Sequence, residues 1–310
     1  MSKLRISIVQ YLNTAPLVRG FTHGPLQGKY DLSFTVPSLC ADALRAGAAD
    51  VAIIPAIEYQ RIPNLVILPD LSISSKERVR SLLLLSKVPI RRAKSIALDT
   101  SSRSTQALTR ILCDARWNIA PQFTQAAPDA TEMLRTSDAA LVIGDPALRI
   151  AIAAETCVSA GPDGEWICEG KLAGIPGAGK LHVYDVVREW WQLTERPAVL
   201  AVWAARPEVA TPELAAEFAA SLDFGLAHLP EIAGEAATQL NLPERELLLY
   251  LRTNIDYSLD DENRKGLIAY YTYAYRLGLL EKLNPISIAG RGDTPPRYMD
   301  FAWLNPSPNR

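Results

Sequence analysis

Histidine and cysteine are scarce in these 310 residues, with three of one and four of the other, and this removes several common catalytic kits at once. Cys40, Cys113, Cys157 and Cys168 are scattered with no CxxC pair, which argues against a zinc site or a disulfide framework. His23, His182 and His228 lack ligand spacing and read as surface or packing residues. No serine sits in a Gly-x-Ser-x-Gly elbow, so the main hydrolase signal is missing. No apolar run approaches the roughly 20 residues of a membrane helix. Charge of either sign is also not in excess. The net value of -2 gives no electrostatic case for nucleic acid.

Two further features are weaker than they look. Gly174-Ile175-Pro176-Gly177-Ala178-Gly179-Lys180-Leu181 matches the first part of a P-loop, but Leu181 stands where the magnesium-binding Ser or Thr belongs. The opening Met-Ser-Lys-Leu-Arg runs straight into a strand, without the apolar core and cleavage site of a signal peptide, so a soluble cytoplasmic protein is expected. What remains is an ordinary globular balance, 48% hydrophobic and 21% charged, in a chain long enough for two domains.

The organising stretch is Gln10-Tyr11-Leu12-Asn13-Thr14-Ala15-Pro16-Leu17, directly behind the apolar strand 6–9. A strand that turns through Asn-Thr into Pro predicts strand, loop and helix start, with Asn13 and Thr14 as possible caps. Such a loop sits at the carboxyl end of a strand, where open α/β sheets bind ligands and backbone N–H groups attract anions. Strands at 30–36, 50–54 and 65–68 alternate with helices at 39–46 and 56–59, a pattern for a parallel sheet covered on both faces. A loop is expected at 72–78. A strand at 81–85 follows, and strands at 96–98, near 123 and at 139–143 then repeat the alternation as a second α/β unit. Residues 155–181 lose periodicity and read as a long surface loop or hairpin insertion. Helices dominate after residue 211, and the Pro- and Arg-rich tail from 282 is expected to be loose. No internal repeat is present.

The first unit and the helical C-terminal third are expected to form one lobe, 1–87 with 198–310. Residues 88–197 form the other. Two connecting strands between lobes imply a hinge and a ligand cleft. Ser101-Ser102-Arg103-Ser104-Thr105 packs hydroxyls and a guanidinium into one strand-to-helix turn, which suits a carboxylate; the alternative is an N-cap beside a solvated Arg. At Ile143-Gly144-Asp145-Pro146, Gly144 permits close backbone approach and Asp145 can cap or accept from a ligand hydroxyl. Tyr270, Tyr271, Tyr273 and Tyr275 read as packing. Spacing alone stops at a two-lobed α/β protein that binds a small anion.

Several ordered motifs carry a resemblance further. They are residues 11–17, Ile53-Ile54-Pro55-Ala56-Ile57-Glu58-Tyr59, Leu68-Pro69-Asp70, Val79-Arg80-Ser81-Leu82, residues 101–105, residues 143–148 and Ala201-Val202-Trp203. On these the chain resembles the chorismate dehydratases of the futalosine route to menaquinone. It departs from that family at Glu77-Arg78, where Gly-Pro is usual, and at Glu195-Arg196, where Gly-Leu is usual. The resemblance implies an α/β, two-lobed type 2 periplasmic-binding-protein-like fold with a cleft between lobes. It also implies loss of water from chorismate with no cofactor and no metal. Asn13, Ser81 and Asp145 are then the expected catalytic residues, with Asn13 on the departing hydroxyl or enolpyruvyl group and Asp145 as orienter or proton carrier. Ser81, Arg103, Ser104 and Thr105 are expected to bind carboxylate, and Thr14, Pro55, Ser101, Ser102 and Gly144 to complete the substrate contacts. The partner is a small molecule, not nucleic acid or membrane, and the oligomeric state is left open, a homodimer included. Two other readings remain: a non-catalytic small-anion receptor of the same fold, and the related dihydroxynaphthoate synthase.

Overall fold

The structure is a computed structural model that describes residues 3–155, 158–161, 165–169, 175 and 180–291. The chain opens with β1 (Arg5–Val9), α1 (Ala15–Thr22), β2 (Asp31–Thr35), α2 (Pro37–Arg45), β3 (Val51–Pro55), α3 (Ala56–Arg61) and β4 (Val66–Ser75). It then crosses into β5 (Leu82–Ser86), β6 (Ser95–Asp99), α4 (Arg103–Ala115), β7 (Gln122–Ala126), α5 (Ala130–Thr136), β8 (Ala139–Ile143) and α6 (Gly144–Glu155). Next come β9 (Val158–Ala160), β10 (Trp166–Glu169), β11 (Lys180–Asp185) and α7 (Val186–Thr194). The return is β12 (Ala198–Ala205), α8 (Pro212–Ala227), α9 (Leu229–Leu240), α10 (Glu244–Leu249), a wide turn over Tyr250–Asn254, β13 (Asp256–Ser258) and α11 (Asp261–Arg276).

Two sheets result, ordered β13-β4-β12-β3-β1-β2 and β7-β6-β8-β5-β11-β10-β9. The fold is therefore α/β and two-lobed, as expected. Strands β3, β5 and β8 are buried along their whole length, which accounts for their unbroken apolar runs: each is covered on both faces. Edge strands β2 and β7 are largely exposed and read as alternating. In each lobe the parallel strands (β1, β2, β3 and β6, β7, β8) aim their carboxyl ends at loops that start helices.

Two expectations need correction. The lobe boundary at residue 87 moves, because β5 pairs with β8 and β11 inside the second sheet. Four consecutive leucines, Leu82 to Leu85, need cover on both faces, and the centre of the second sheet supplies it. The outward crossing is therefore residues 76–81, and the return is 195–197. Secondly, the loop expected at 72–78 is partly strand. Pro69 and Asp70 do not end β4; Asp70 takes a left-handed conformation (φ 62°) and the pairing with β12 shifts register there. The serines that suggested a loop are buried, and Ser72 Oγ lies 2.6 Å from Ser74 Oγ. Of the two readings of the insertion at 155–181, the structure takes the hairpin: β9, β10 and β11 pair antiparallel and extend the second lobe. Most of the partial P-loop at 174–181, and the tail from 292, lie outside the described residues. At the return crossing Glu195 ends α7 with φ 52°, the backbone region that favours the glycine usual in the resembled family.

The first lobe's helices are packed by aromatic edges. Phe218 of α8 meets Phe21 of α1 at 4.9 Å and Trp203 of β12 at 4.8 Å between ring centroids. Gly225 of α8 lies against the Pro16 carbonyl of α1, and a Cβ there would stand 1.9 Å from that oxygen. Trp190 of α7 reaches Tyr273 of α11 at 5.6 Å, so the C-terminal helix also binds the second lobe. No helix among the described residues is long and apolar enough to cross a membrane.

Candidate active site

The loop after β1 makes a tight turn, with Thr14 N–H donating to the Tyr11 carbonyl (3.0 Å), and Pro16 enters the first turn of α1. The capping alternative for Asn13 and Thr14 fails, since neither side chain accepts from a backbone N–H of the helix. Thr14 is buried and its hydroxyl donates to Asn13 Oδ1 at 3.3 Å. The Asn13 amide nitrogen is thus left for another partner.

The second lobe presents two turns to the first. After β6, Ser101 N–H and Oγ both donate to Asp99 Oδ1 (2.8 and 2.5 Å), while Ser102 Oγ caps α4 by accepting from Thr105 N–H and lies 2.8 Å from Thr105 Oγ1. After β8, Gly144 turns with φ 68°, and Tyr11 ring atoms lie 2.7–2.8 Å from where a Cβ would stand. Glycine is required there for both reasons. Its N–H donates to the Ser81 carbonyl at 2.8 Å, which ties this turn to the crossing strand.

These loops close on one another. Leu12 N–H donates to Asp145 Oδ1 (3.1 Å), Tyr11 Oη donates to Ser101 Oγ (3.4 Å), and Ser38 N–H donates to the Ser101 carbonyl (3.0 Å). Ile57 N–H, two residues past the buried Pro55, donates to Ser104 Oγ (3.1 Å), and Tyr270 Oη donates to the Ser104 carbonyl (2.9 Å). Beside the Leu12–Asp145 junction opens a cavity of about 280 Å³ lined by Gln10, Tyr11, Leu12, Phe34, Asp145 and Gln239 among others.

Ser81 is buried at the crossing and accepts a hydrogen bond from Tyr250 Oη at 2.9 Å. The same phenol has Asn13 in hydrogen-bond reach, and burial holds its pKa well above the ordinary value. Asn13, Ser81 and Tyr250 therefore form one cluster, although 169 residues separate Ser81 from Tyr250. Because Tyr250 donates, the Ser81 hydroxyl proton is free to point elsewhere. Arg80 lies directly behind. It is buried with φ 64°, and its Nη2 alone serves Glu155 (2.6 Å) and Glu246 (2.8 Å), while its Nε and Nη1 have no partner among the described residues. Its charge is near enough to act on Tyr250. Tyr257, adjacent to Tyr250, also has a buried hydroxyl without a partner among those residues.

Arg103 departs from expectation. Its guanidinium donates two bonds of 2.9 Å to Asp42 and one of 3.2 Å to Glu58, across the lobe interface. It acts as an interlobe clamp and is not directed at the cluster around Ser81. Two carboxyls near the interface are perturbed by burial: Asp99 is raised, against the opposing pull of Ser101, and Asp145 is pushed up to about 6, with the Leu12 N–H and Arg149 opposing. The folded protein holds the Asp145 proton more tightly than the unfolded chain does. That contribution to stability is complete below about pH 4 and is lost as pH rises through about 6. Relative to Asp145→Asn, the wild type is expected to lose about 2–3 kcal/mol between pH 4 and pH 7, read from denaturant midpoints across that range. Parallel profiles for the two proteins would contradict the assignment.

Sequence reasoning missed Tyr250, Tyr257, Tyr11 and Asp99. Tyr11 and Arg80 lie inside the motifs at 11–17 and 79–82 and are the legible ones. No group of three or more potential metal ligands occurs among the described residues.

Comparison with known proteins gives the family and the fold. A protein-family model described as menaquinone biosynthesis matches residues 4–276. A curated chorismate dehydratase of Thermus thermophilus is 28% identical over 277 residues, covering 88% of this chain and 95% of that protein. Among solved structures, an Archaeoglobus fulgidus protein superposes with a TM-score of 0.65 at 17% identity, covering 89% of this chain and 98% of its own. The alkanesulfonate-binding protein SsuA of Xanthomonas axonopodis pv. citri gives 0.59 at 16% identity, covering 91% and 95%. At those identities the structures speak for the two-lobed binding-protein fold alone. The family match spans nearly the whole chain: this protein belongs to the menaquinone biosynthesis family.

Proposed function

We propose that the chain is a chorismate dehydratase, a hydro-lyase that converts chorismate to 3-[(1-carboxyvinyl)oxy]benzoate, the first step of the futalosine route. The observation that carries this reading is the convergence of Asn13, Ser81 and Tyr250 at the lobe junction, in a chain that belongs to this family. Chorismate carries two carboxylates, a ring hydroxyl, and a ring proton on the adjacent carbon. Removing that proton sends the electron pair through the ring double bond towards the ring carboxylate. Loss of hydroxide from the neighbouring carbon then makes the ring aromatic, and the proton and hydroxide leave as water.

Aromatisation supplies the driving force, so the protein's work is orientation, charge stabilisation and exclusion of solvent. Ser81 donates to a substrate oxygen, with its own oxygen held by Tyr250. Asn13 orients the departing hydroxyl through its amide. The Arg80 guanidinium, whose Nε and Nη1 have no partner among the described residues, gives the dianion a cation close by. Thr14, Pro55, Ser101, Ser102, Ser104, Thr105 and Gly144 shape the walls. Asp145 is a positioning group that fixes the Asn13 loop through Leu12 N–H. No imidazole or amine stands in the cluster among the described residues, and the enolpyruvyl carboxylate of the substrate itself is the proton acceptor in this reading.

Incubating the purified protein with chorismate tests it: a product lighter by one water, with a benzoate-type ultraviolet spectrum, is expected. Chorismate that binds and stays intact would favour the receptor reading. Tyr250→Phe is expected to lower kcat about tenfold with a smaller change in KM, since it frees Ser81 to rotate without removing a substrate contact. An unchanged kcat in a folded Tyr250→Phe protein would remove Tyr250 from the account.

A further inference from the structure

A second cavity, of about 420 Å³, lies outside this cluster and shares no lining residue with Asn13, Ser81 or Asp145. Its walls come from both lobes: Arg61 and Leu279 on one side, and Thr100, Arg103, Gln106 and Arg110 on the other. Arg103, Gln106 and Arg110 are spaced i, i+3, i+7 along α4 and so share one helix face. None of the described lining residues is acidic.

The charges around it do not balance. Among the described residues Arg45, Arg61 and Arg103 share only Asp42 and Glu58 between them. Arg110 has no ion pair or hydrogen bond among the described residues; its guanidinium lies over the Phe123 ring, 4.1 Å from the centroid. Four guanidinium groups thus face two carboxylates, a surplus of two positive charges at a lobe junction. Arg61 spends both terminal nitrogens on Glu58 and the Leu279 carbonyl, and Arg103 spends both of its own on Asp42 and Glu58, so each keeps its Nε for a ligand. Arg110 keeps its whole fork.

We propose that this cavity is an anion site for a phosphoryl dianion, gripped by Arg110 with Arg103 on one lobe and Arg61 on the other. The open fork of Arg110 and the Nε donors of Arg103 and Arg61, reaching the cavity from both lobes, suit a tetrahedral group with three acceptor oxygens better than a planar carboxylate. A phosphomonoester carries nearly two negative charges at neutral pH, which matches the surplus. The cavity is larger than a lone phosphate and lies in the range of small-molecule sites, roughly 300–1,000 Å³. An organic body bearing the phosphoryl group therefore fits it better than the free ion.

The test is titration calorimetry of the full chain without chorismate, so its outcome is independent of the dehydratase reading. Inorganic phosphate and glycerol 3-phosphate are the two ligands, with sodium chloride at matched ionic strength as control. Saturable binding of one equivalent is expected, tighter for the ester. Arg110→Gln and Arg61→Gln are each expected to weaken it about tenfold, the value of a lost charge-assisted contact. Asn13→Ala is expected to leave it intact. Equal binding by wild type and Arg110→Gln, or heats reproduced by chloride, would mean an adventitious ion only. Unchanged affinity in Arg61→Gln would overturn the claim that the ligand bridges the lobes, and tighter binding of inorganic phosphate would identify the free ion as the occupant.

Discussion

Asn13→Ala is expected to reduce kcat for chorismate dehydration about 100- to 1,000-fold, with KM changed far less. The side chain is at a loop tip, makes no cap to α1, and receives only the Thr14 hydroxyl and the reach of Tyr250. Its removal costs the fold little, because no buried backbone donor depends on it. What is lost is an amide fixed beside Ser81, at the place where hydroxide departs in the proposed reaction. Steady-state rates with a melting curve on the same sample separate this from misfolding. A folded variant that keeps more than a fifth of the wild-type kcat would exclude Asn13 from the chemistry.

The second large effect is structural. In Gly225→Ala the new Cβ would meet the Pro16 carbonyl oxygen at 1.9 Å and its carbon at 2.6 Å. These are backbone atoms in the first turn of α1, so no side chain can move to relieve the contact, and α1 must shift from α8. A loss of about 3 kcal/mol or more in unfolding free energy is expected from such overpacking. Because α1 begins where the Asn13 loop ends, the shift also displaces that loop, and activity is expected to fall in the fraction that remains folded. Urea denaturation of Gly225→Ala against wild type measures the first effect. A change below about 1 kcal/mol would show that the helices separate easily.

The sequence carried most of the architecture because the central strands had to be apolar on both faces. The run Leu82 to Leu85 and the stretch 139–143 announced themselves. What misled was local chemistry read without its tertiary partner. Pro69 and Asp70 resemble a strand end, yet β4 absorbs them as a register shift against β12. Ser72 and Ser74 look like loop residues until their mutual hydrogen bond is seen. The site divides in the same way. Loops at strand ends were legible, and Asn13, Ser101, Ser104 and Asp145 do meet across the lobes through their neighbours. Arg103 was legible as a cation but not its fate, because its acceptors Asp42 and Glu58 lie 61 and 45 residues away. Tyr250 carried no local signal at all. It stands in a helical C-terminal segment whose periodicity speaks only of packing, and the bond to Ser81 exists only once the C-terminal helices fold back over the crossing strands.

The cytoplasmic expectation rested on the opening residues, the lack of a long apolar run and the scattered cysteines. In the structure no described helix is long and apolar enough to cross a membrane, and the biosynthetic family is the stronger reason to look for an enzyme.

A crystal structure with 3-[(1-carboxyvinyl)oxy]benzoate bound bears most directly on the central claim. The account predicts the aromatic ring between the lobes, with one carboxylate oxygen within hydrogen-bond distance of Ser81 Oγ and the carbon that lost its hydroxyl facing Asn13. Product seated instead on the arginine-lined face of α4, or in the cavity beside Gln239 with Ser81 and Tyr250 undisturbed, would contradict it.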